Sequence, residues 1–254
     1  MFCCLLTEMN PYYAVIDEGN SRIKAALFSS KSQDWQWKGA SSTFDCGEVY
    51  ERLSLAKPLA VLRASVRKDK QPLDQWFGTA RSFELSSKTK LPFRINYDTP
   101  HSLGADRLAG AAGAWARHPD RASLVIDLGT CINFEYLSPD QGYLGGKISP
   151  GFAMRFMAMH HGAEKLPIAE MEQQARRFFP ARNTQDALWF GVNQGIEAEI
   201  EAASARFIRS YPSGRVFLTG GDAPKFAHLT KNHIFAAPDL TLEGLAALLR
   251  LQMV

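Results

Sequence analysis

Cysteine is scarce in this chain, with 4 residues in 254. They are Cys3, Cys4, Cys46 and Cys131; none forms a C-x-x-C pair, and none stands with histidines at zinc-ligand spacing. This argues against a sequence-encoded zinc site and a disulfide-stapled scaffold, and a reduced, cytoplasmic chain is expected. An excess of one charge is also lacking: 29 basic side chains face 26 acidic ones, for a formal net charge of +3. There is no long basic run, so a dedicated nucleic-acid surface is not expected, whereas an anionic small ligand is compatible. No stretch approaches ~18 uninterrupted apolar residues, so no membrane span is expected. The first residues, Met-Phe-Cys-Cys-Leu-Leu-Thr-Glu, have no basic n-region and too short an apolar run for a signal peptide. Residues 1–8 are expected to be a disordered extension. Low-complexity segments are absent.

What is present is an ordinary globular composition, 46% hydrophobic and 22% charged, in a length that suits one large domain or two of ~100–130 residues. The stretch Ala14–Phe28 organises the rest. Tyr13 to Ile16 is a short apolar run, Asp17-Glu-Gly-Asn-Ser21 supplies turn residues, and Ile23, Ala25 and Leu27 then alternate with Arg22, Lys24 and Ala26. The pattern predicts strand, tight turn, strand. Backbone N–H groups at such a turn can hold phosphate oxygens and Lys24 can add charge. Asp17 can orient a Mg²⁺ ion or its waters. An ordinary hairpin with a polar tip fits the same residues.

Further along, a helix is expected over 48–56, a buried strand over 59–66, an irregular region over 69–89 and a strand over 91–97. Leu108, Ala111, Ala112 and Trp115 mark one apolar face of a helix spanning 103–117. Gly104 to Asp106 lies at its start, and His118-Pro-Asp-Arg121 ends it as a candidate domain boundary. At such a start the helix dipole favours the ionised form of Asp106 and lowers its pKa.

Ser123–Leu137 then repeats the opening: Val125-Ile-Asp-x-Gly-Thr matches Val15-Ile-Asp-x-Gly-Asn. One repeat about a small domain apart indicates a duplicated hairpin domain, not a solenoid. A glycine-rich passage, Gly142–Gly151, leads into a helix over 152–162. Helices are expected over 170–179 and from Asn183 or Thr184 as cap through Ile208. Arg215-Val-Phe-Leu-Thr-Gly-Gly-Asp222 reads as a strand into a Gly-Gly turn, and 240–251 as a closing helix.

Taken together, Asp-x-Gly-Asn, Asp-x-Gly-Thr and Thr-Gly-Gly form an ordered set. Two facing hairpin turns can hold nucleotide phosphates between two domains, and a Gly-Gly turn lets backbone approach the adenosine. Phosphoryl transfer needs mainly positioning and charge neutralisation. The arrangement resembles the actin–hexokinase–sugar kinase superfamily and, more narrowly, type III pantothenate kinases. The matching stretches are Asp17–Lys24, Gly104-Ala-Asp-Arg107, Asp127-Leu-Gly-Thr130, Gly145–Gly151, Asn183-Thr184, Thr219–Asp222 and Leu242–Leu245.

The resemblance implies an α/β chain of two actin-like ATPase (ribonuclease H-like) domains related by duplication, with an interdomain cleft, here over residues 9–118 and 119–254. It implies transfer of phosphate from ATP to pantothenate, giving 4′-phosphopantothenate in the first step of coenzyme A biosynthesis. Asp106 would be the general base. Asp17, Glu18, Gly19, Asn20, Ser21, Arg22, Ile23, Lys24, Thr130, Gly220 and Gly221 would contact ATP. Tyr97, Gly104, Ala105, Asp106, Arg107 and Thr184 would line the pantothenate pocket, Thr184 from the partner subunit of a homodimer. Asp127 would ligate a monovalent cation (K⁺ or NH₄⁺), required besides Mg²⁺. The chain departs from the family's usual second hairpin at Cys131, Asn133 and Glu135, where a small residue, a threonine and an aspartate are common. A sugar or acetate kinase of the same superfamily, or an ATP-binding regulatory member without turnover, is the alternative reading.

Overall fold

The structure, a computed structural model, describes residues 12–32, 34–42, 46–68, 70–168 and 179–254. The chain divides into two compact units: one runs to Ala116 and also includes Leu240–Val254, and the other spans Arg117–Asp239. Each unit is built on one five-stranded mixed sheet.

In the first unit, β1 (Tyr12–Glu18), β2 (Arg22–Ser29) and β3 (Trp35–Ser42) form an antiparallel meander. β4 (Ala60–Ser65) pairs parallel with β1, and β5 (Arg81–Glu84) pairs parallel with β4. The order is β3-β2-β1-β4-β5. The parallel pairs need crossovers. The β3–β4 crossover contains α1 (Cys46–Leu55), and the β4–β5 crossover α2 (Leu73–Phe77). Ala14, Val15 and Ile16 are fully buried in succession, so both faces of β1 are covered. One face carries Ala14, Ile16, Ile23, Val49, Leu53 and Val61 in a core with α1 and α2.

In the second unit, β6 (Ser123–Leu128), β7 (Cys131–Ser138) and β8 (Gly142–Pro150) repeat the meander. β9 (Arg215–Thr219) pairs parallel with β6, and β10 (Ile234–Ala236) parallel with β9. Read from β8, the order β8-β7-β6-β9-β10 reproduces the first sheet strand for strand. α4 (Phe152–Gly162) and α5 (Thr184–Ser210) lie in the crossover. Phe152, Phe156, Leu188, Val192, Ile196 and Ile200 from these helices pack on Leu124, Ile126, Leu128 and Phe134.

α3 (Ala105–Arg117) and α6 (Leu240–Met253) belong to the first unit. α6 packs on β1 and β4. Two glycines set how closely the helices cross. A Cβ at Gly244 would overlap the Ala109 carbonyl, and one at Gly113 the Leu240 carbonyl. The expected second domain, 119–254, is therefore corrected: its last helix returns to the first unit, because its apolar face is completed by β1, β4 and α3. That packing partner is distant in sequence and invisible to a linear reading.

Two other expectations change. Residues 91–97 form no strand; only Ile95 makes an isolated bridge. Pro92 lacks a ladder donor, and Phe93 packs against Trp115 at 5.4 Å between ring centroids. The passage 142–151 is an edge strand, β8, with its ladder irregular beside Gly145, whose φ is 103°. The expected extension over 1–8 and most of the expected helix over 170–179 lie outside the described residues.

Candidate active site

The first turn joins β1 to β2. Gly19 N–H donates to the Arg22 carbonyl at 2.9 Å, closing a loop whose tip, Asn20 and Ser21, is exposed. Asp17 and Lys24 stand directly opposite each other across the ladder, both half-buried. The turn thus presents an amide, a hydroxyl and a cation beside a carboxylate. Two of its expected ligand residues point elsewhere. Ile23 is fully buried in the core. Glu18 is 4% exposed; it accepts from Tyr50 Oη at 2.5 Å, with Arg63 Nη1 at 3.7 Å. Only the main chain of these two remains to face a ligand.

The second turn joins β6 to β7 and is one residue shorter: Leu128 pairs with Ile132, where Glu18 pairs with Ile23. Gly129 N–H donates to the Cys131 carbonyl at 3.0 Å, and Thr130 is exposed. Two other segments close on this turn. Gly151 N–H donates to the Thr130 carbonyl at 3.1 Å, and a Cβ on Gly151 would overlap the carbonyls of Gly129 and Thr130. Gly220, with φ of 97°, lies against Asp127 Oδ1 and the Leu128 backbone. Asp222 N–H donates to the Leu128 carbonyl at 2.9 Å. The Thr-Gly-Gly turn is thus seated on the end of β6, and Gly221 is exposed beside it.

On this sheet Asp127 stands opposite both Asn133 and Thr219. The Thr219 hydroxyl is buried with no hydrogen-bond partner among the described residues. Glu135 is 1% exposed and accepts the Tyr143 hydroxyl. Cys131 is a free thiol, half-buried rather than fully enclosed as a small core residue would be.

The start of α3 brings five expected residues together. A Cβ at Gly104 would come within 2.5 Å of Asp106 Oδ1, so the carboxyl folds back over the glycine. Arg107 is buried, with its guanidinium 5.8 Å from the Tyr97 ring centroid. Ala105 is buried beneath. The electrostatics correct the expectation from helix position. Burial raises the Asp106 pKa above its ordinary value; donation from the Arg107 backbone and the Arg107 charge oppose that rise without cancelling it. Desolvation outweighs the dipole of the helix start.

Thr184 is exposed at the first position of α5, and the cap is Asn183, whose side chain accepts from Asp186 N–H at 2.8 Å. Thr184 is therefore spared from capping. His160 and His161 end α4, His160 Nδ1 lying 2.8 Å from the Leu166 carbonyl. Sequence reasoning missed the buried Glu18–Tyr50–Arg63 cluster. The available signal was an arginine inside an otherwise apolar strand, Ala60-Val-Leu-Arg-Ala-Ser65, since buried arginines demand partners.

Comparison with known proteins identifies the assembly of these parts. A sequence profile of type III pantothenate kinases matches residues 14–206. A type III pantothenate kinase of Cytophaga hutchinsonii is 37% identical over 235 residues, covering 92% of this chain and 97% of the relative. Among solved structures, a protein from Campylobacter jejuni described as a conserved Baf family transcriptional activator superposes with a TM-score of 0.60 at 20% identity, covering 94% of this chain and 98% of that one. A sugar kinase fold from Cytophaga hutchinsonii superposes at 0.50 with 14% identity, covering 96% and 100%. The fold is that of actin-like ATPases and sugar kinases. The chain belongs to the type III pantothenate kinase family, and it is accordingly a phosphotransferase that uses ATP to phosphorylate pantothenate.

Proposed function

We propose that Asp106 is the general base that accepts the proton of the pantothenate primary hydroxyl, giving 4′-phosphopantothenate. The observation that carries this is the α3 start, where a desolvated carboxyl lies beside Gly104 and next to an arginine held over Tyr97. A raised pKa moves the group toward the working pH, where a base is more effective. In a loose phosphoryl transition state its main task is to orient the hydroxyl. Gly104, Ala105, Arg107 and Tyr97 form the pantothenate pocket in this reading, with Thr184 contributed from a partner subunit.

The exposed tip Asn20-Ser21, the Gly19 and Arg22 backbones and Lys24 bind ATP phosphates; Thr130, Gly220 and Gly221 make further ATP contacts. The donor chemistry fits the expected cations. Asp17 is an oxygen-only donor beside a phosphate-binding turn, the kind of site that holds Mg²⁺ together with substrate phosphates. Asp127 stands opposite Thr219, whose buried hydroxyl has no hydrogen-bond partner among the described residues, an oxygen-rich setting with one carboxylate that suits K⁺ or NH₄⁺. Such ions neutralise charge during phosphoryl transfer.

A homodimer is supported by exposed Met154 and Met157 on α4, and by exposed Ile168 and Phe179, apolar side chains that a partner would cover. Among the described residues no helix is long and apolar enough to cross a membrane; we place the enzyme in the cytoplasm. The test is coupled ADP release with pantothenate, with and without K⁺. Pantothenate-dependent turnover raised by K⁺ is expected. Turnover on a sugar instead, or none at all, would overturn the reading.

A further inference from the structure

The duplication supplies an internal control. β1 and β4 are aligned so that Ile16 stands opposite Arg63; β6 and β9 are aligned so that Ile126 stands opposite Leu218. By the same alignment Glu18, the last residue of β1, corresponds to Leu128, the last of β6. All four are buried: Glu18 4%, Arg63 1%, Leu128 1% and Leu218 1% exposed. The fold accepts two leucines at these positions in one copy, so it does not itself require the charges found in the other.

Those charges are elaborately held. Arg63 Nη1 donates to Tyr50 Oη at 2.9 Å, and Tyr50 Oη donates to Glu18 Oε1 at 2.5 Å. Arg63 Nη1 also donates to the Gln71 carbonyl at 2.9 Å, while its Nη2 and Nε donate to Glu84 at 2.6 and 3.1 Å. Lys70 Nζ lies 3.2 Å from the other Glu84 oxygen at the rim. Burial, reinforced by the Glu18 hydrogen bond, pushes the Tyr50 pKa well above its ordinary value, so the phenol stays a donor. Even so, Glu18 Oε2 has no hydrogen-bond partner among the described residues. Replacing a buried ion pair by apolar residues of similar volume is often neutral or stabilising, so stability alone gives no reason for this cluster.

Its position does. Glu18 immediately precedes Gly19, and its carbonyl accepts from Val66 N–H at 3.1 Å. The cluster therefore grips the base of the Asp17–Lys24 turn from α1, β4 and β5. Leu128 sits instead in the apolar core of its sheet, with Leu218, Phe152 and Phe226. We propose that Glu18, Tyr50 and Arg63 are positioning residues for nucleotide binding: they hold the first turn in the form that accepts the phosphates of ATP. This rests on the reading that the turn is a phosphate site.

The test copies the apolar solution of the second sheet into the first, in Glu18→Leu/Tyr50→Phe/Arg63→Leu. The expected result is a melting temperature at or above that of the unsubstituted enzyme, with KM for ATP raised about tenfold and KM for pantothenate within about twofold. A folded triple variant with unchanged KM for ATP overturns the proposal. Should the triple variant not fold, Tyr50→Phe alone removes one hydroxyl from the chain of donors. A rise of about threefold in KM for ATP is then expected, and an unchanged value overturns the proposal. Lys24→Ala is measured alongside. If it also leaves KM for ATP unchanged, the phosphate-site reading falls and the proposal with it. If it raises KM while the cluster variants do not, the positioning role alone falls.

Discussion

Glu18 ends β1 and Leu128 ends β6, and each is followed by a glycine that starts a tight turn. The two sheets share strand order and pairing direction, yet they brace their turns by different means. Beneath the first lies a buried chain of charge-assisted hydrogen bonds. Beneath the second lies an apolar core, and the bracing comes from above, where Gly151 and Gly220 press their main chains onto Gly129–Thr130 and Leu128. Directional hydrogen bonds fix one turn; close backbone packing, possible only without side chains, fixes the other. The difference teaches that a duplicated backbone constrains register and order but leaves open how a functional loop is held.

The asymmetry should be greatest in the chemistry. α3 follows the first sheet and carries Asp106 in its first turn, whereas α6, which follows the second, begins Leu-Thr-Leu. Asp106→Asn is expected to lower kcat by about 10²–10⁴-fold. Because burial raises the native pKa, the native state binds more protons than the unfolded state as pH rises through the ordinary aspartate value. The carboxylate therefore costs stability above that range. Asp106→Asn should accordingly melt no lower than the parent at neutral pH, and the parent's kcat should fall as pH drops through a value above that of an exposed aspartate. A stable variant with near-normal kcat removes Asp106 as the base.

Reversing the swap at the second turn comes next. Leu128→Glu buries a carboxylate where Leu218 stands at the position of Arg63, and should cost about 3–5 kcal/mol in urea unfolding. A cost below ~1 kcal/mol would mean that the second sheet tolerates the charged solution after all. Gly151→Ala should destabilise by about 1–3 kcal/mol, because its Cβ meets two carbonyls that cannot move without opening the turn. Gly19→Ala should cost less, since its Cβ would meet only the Arg22 carbonyl, at 3.0 Å. Equal costs would erase the distinction between packing-held and network-held turns.

The smallest effect is expected at Glu199 on α5. Burial works against its ionisation, but donation from Lys147, Arg155 and Ser149 outweighs this and holds its pKa below the ordinary value. A depressed carboxylate pKa gives stability that is present above the unfolded-state value and lost as pH falls through the native one. Glu199→Gln should cost about 1 kcal/mol or less at neutral pH, given its partial exposure, and should flatten the acid limb of stability against pH. An unchanged acid limb would show that the cluster adds nothing to the second unit.

Much of the local structure of the candidate site was legible along the chain. Asp17–Lys24 and Asp127–Thr130 announce themselves because turn chemistry is local: a glycine, an amide or hydroxyl and an acid within a few residues suffice. Gly104–Arg107 was readable locally as a helix start with an acid in its first turn, and its part in a substrate pocket came from the family resemblance alone. What was not legible involved direction and desolvation. Glu18 lies in the same turn motif as Asn20, but strand alternation sends its side chain toward α1, and only the facing of Tyr50 and Arg63 shows why a carboxylate is tolerated there. The raised Asp106 pKa was hidden likewise, since helix position argues for a lowered one and burial depends on residues brought from elsewhere.

Local spacing was enough to announce two hairpin turns, their duplication and the helix that starts at Gly104–Arg107, because hydrogen-bonding turns and periodic apolar faces depend on neighbours in sequence. Folding in three dimensions settled the return of α6 to the first unit, the inward face of Glu18, the wedging of Gly151 and the protonation preference of Asp106. Each of these depends on what lies against a side chain from a distant strand or helix, and it is that contact which sets packing, desolvation and charge.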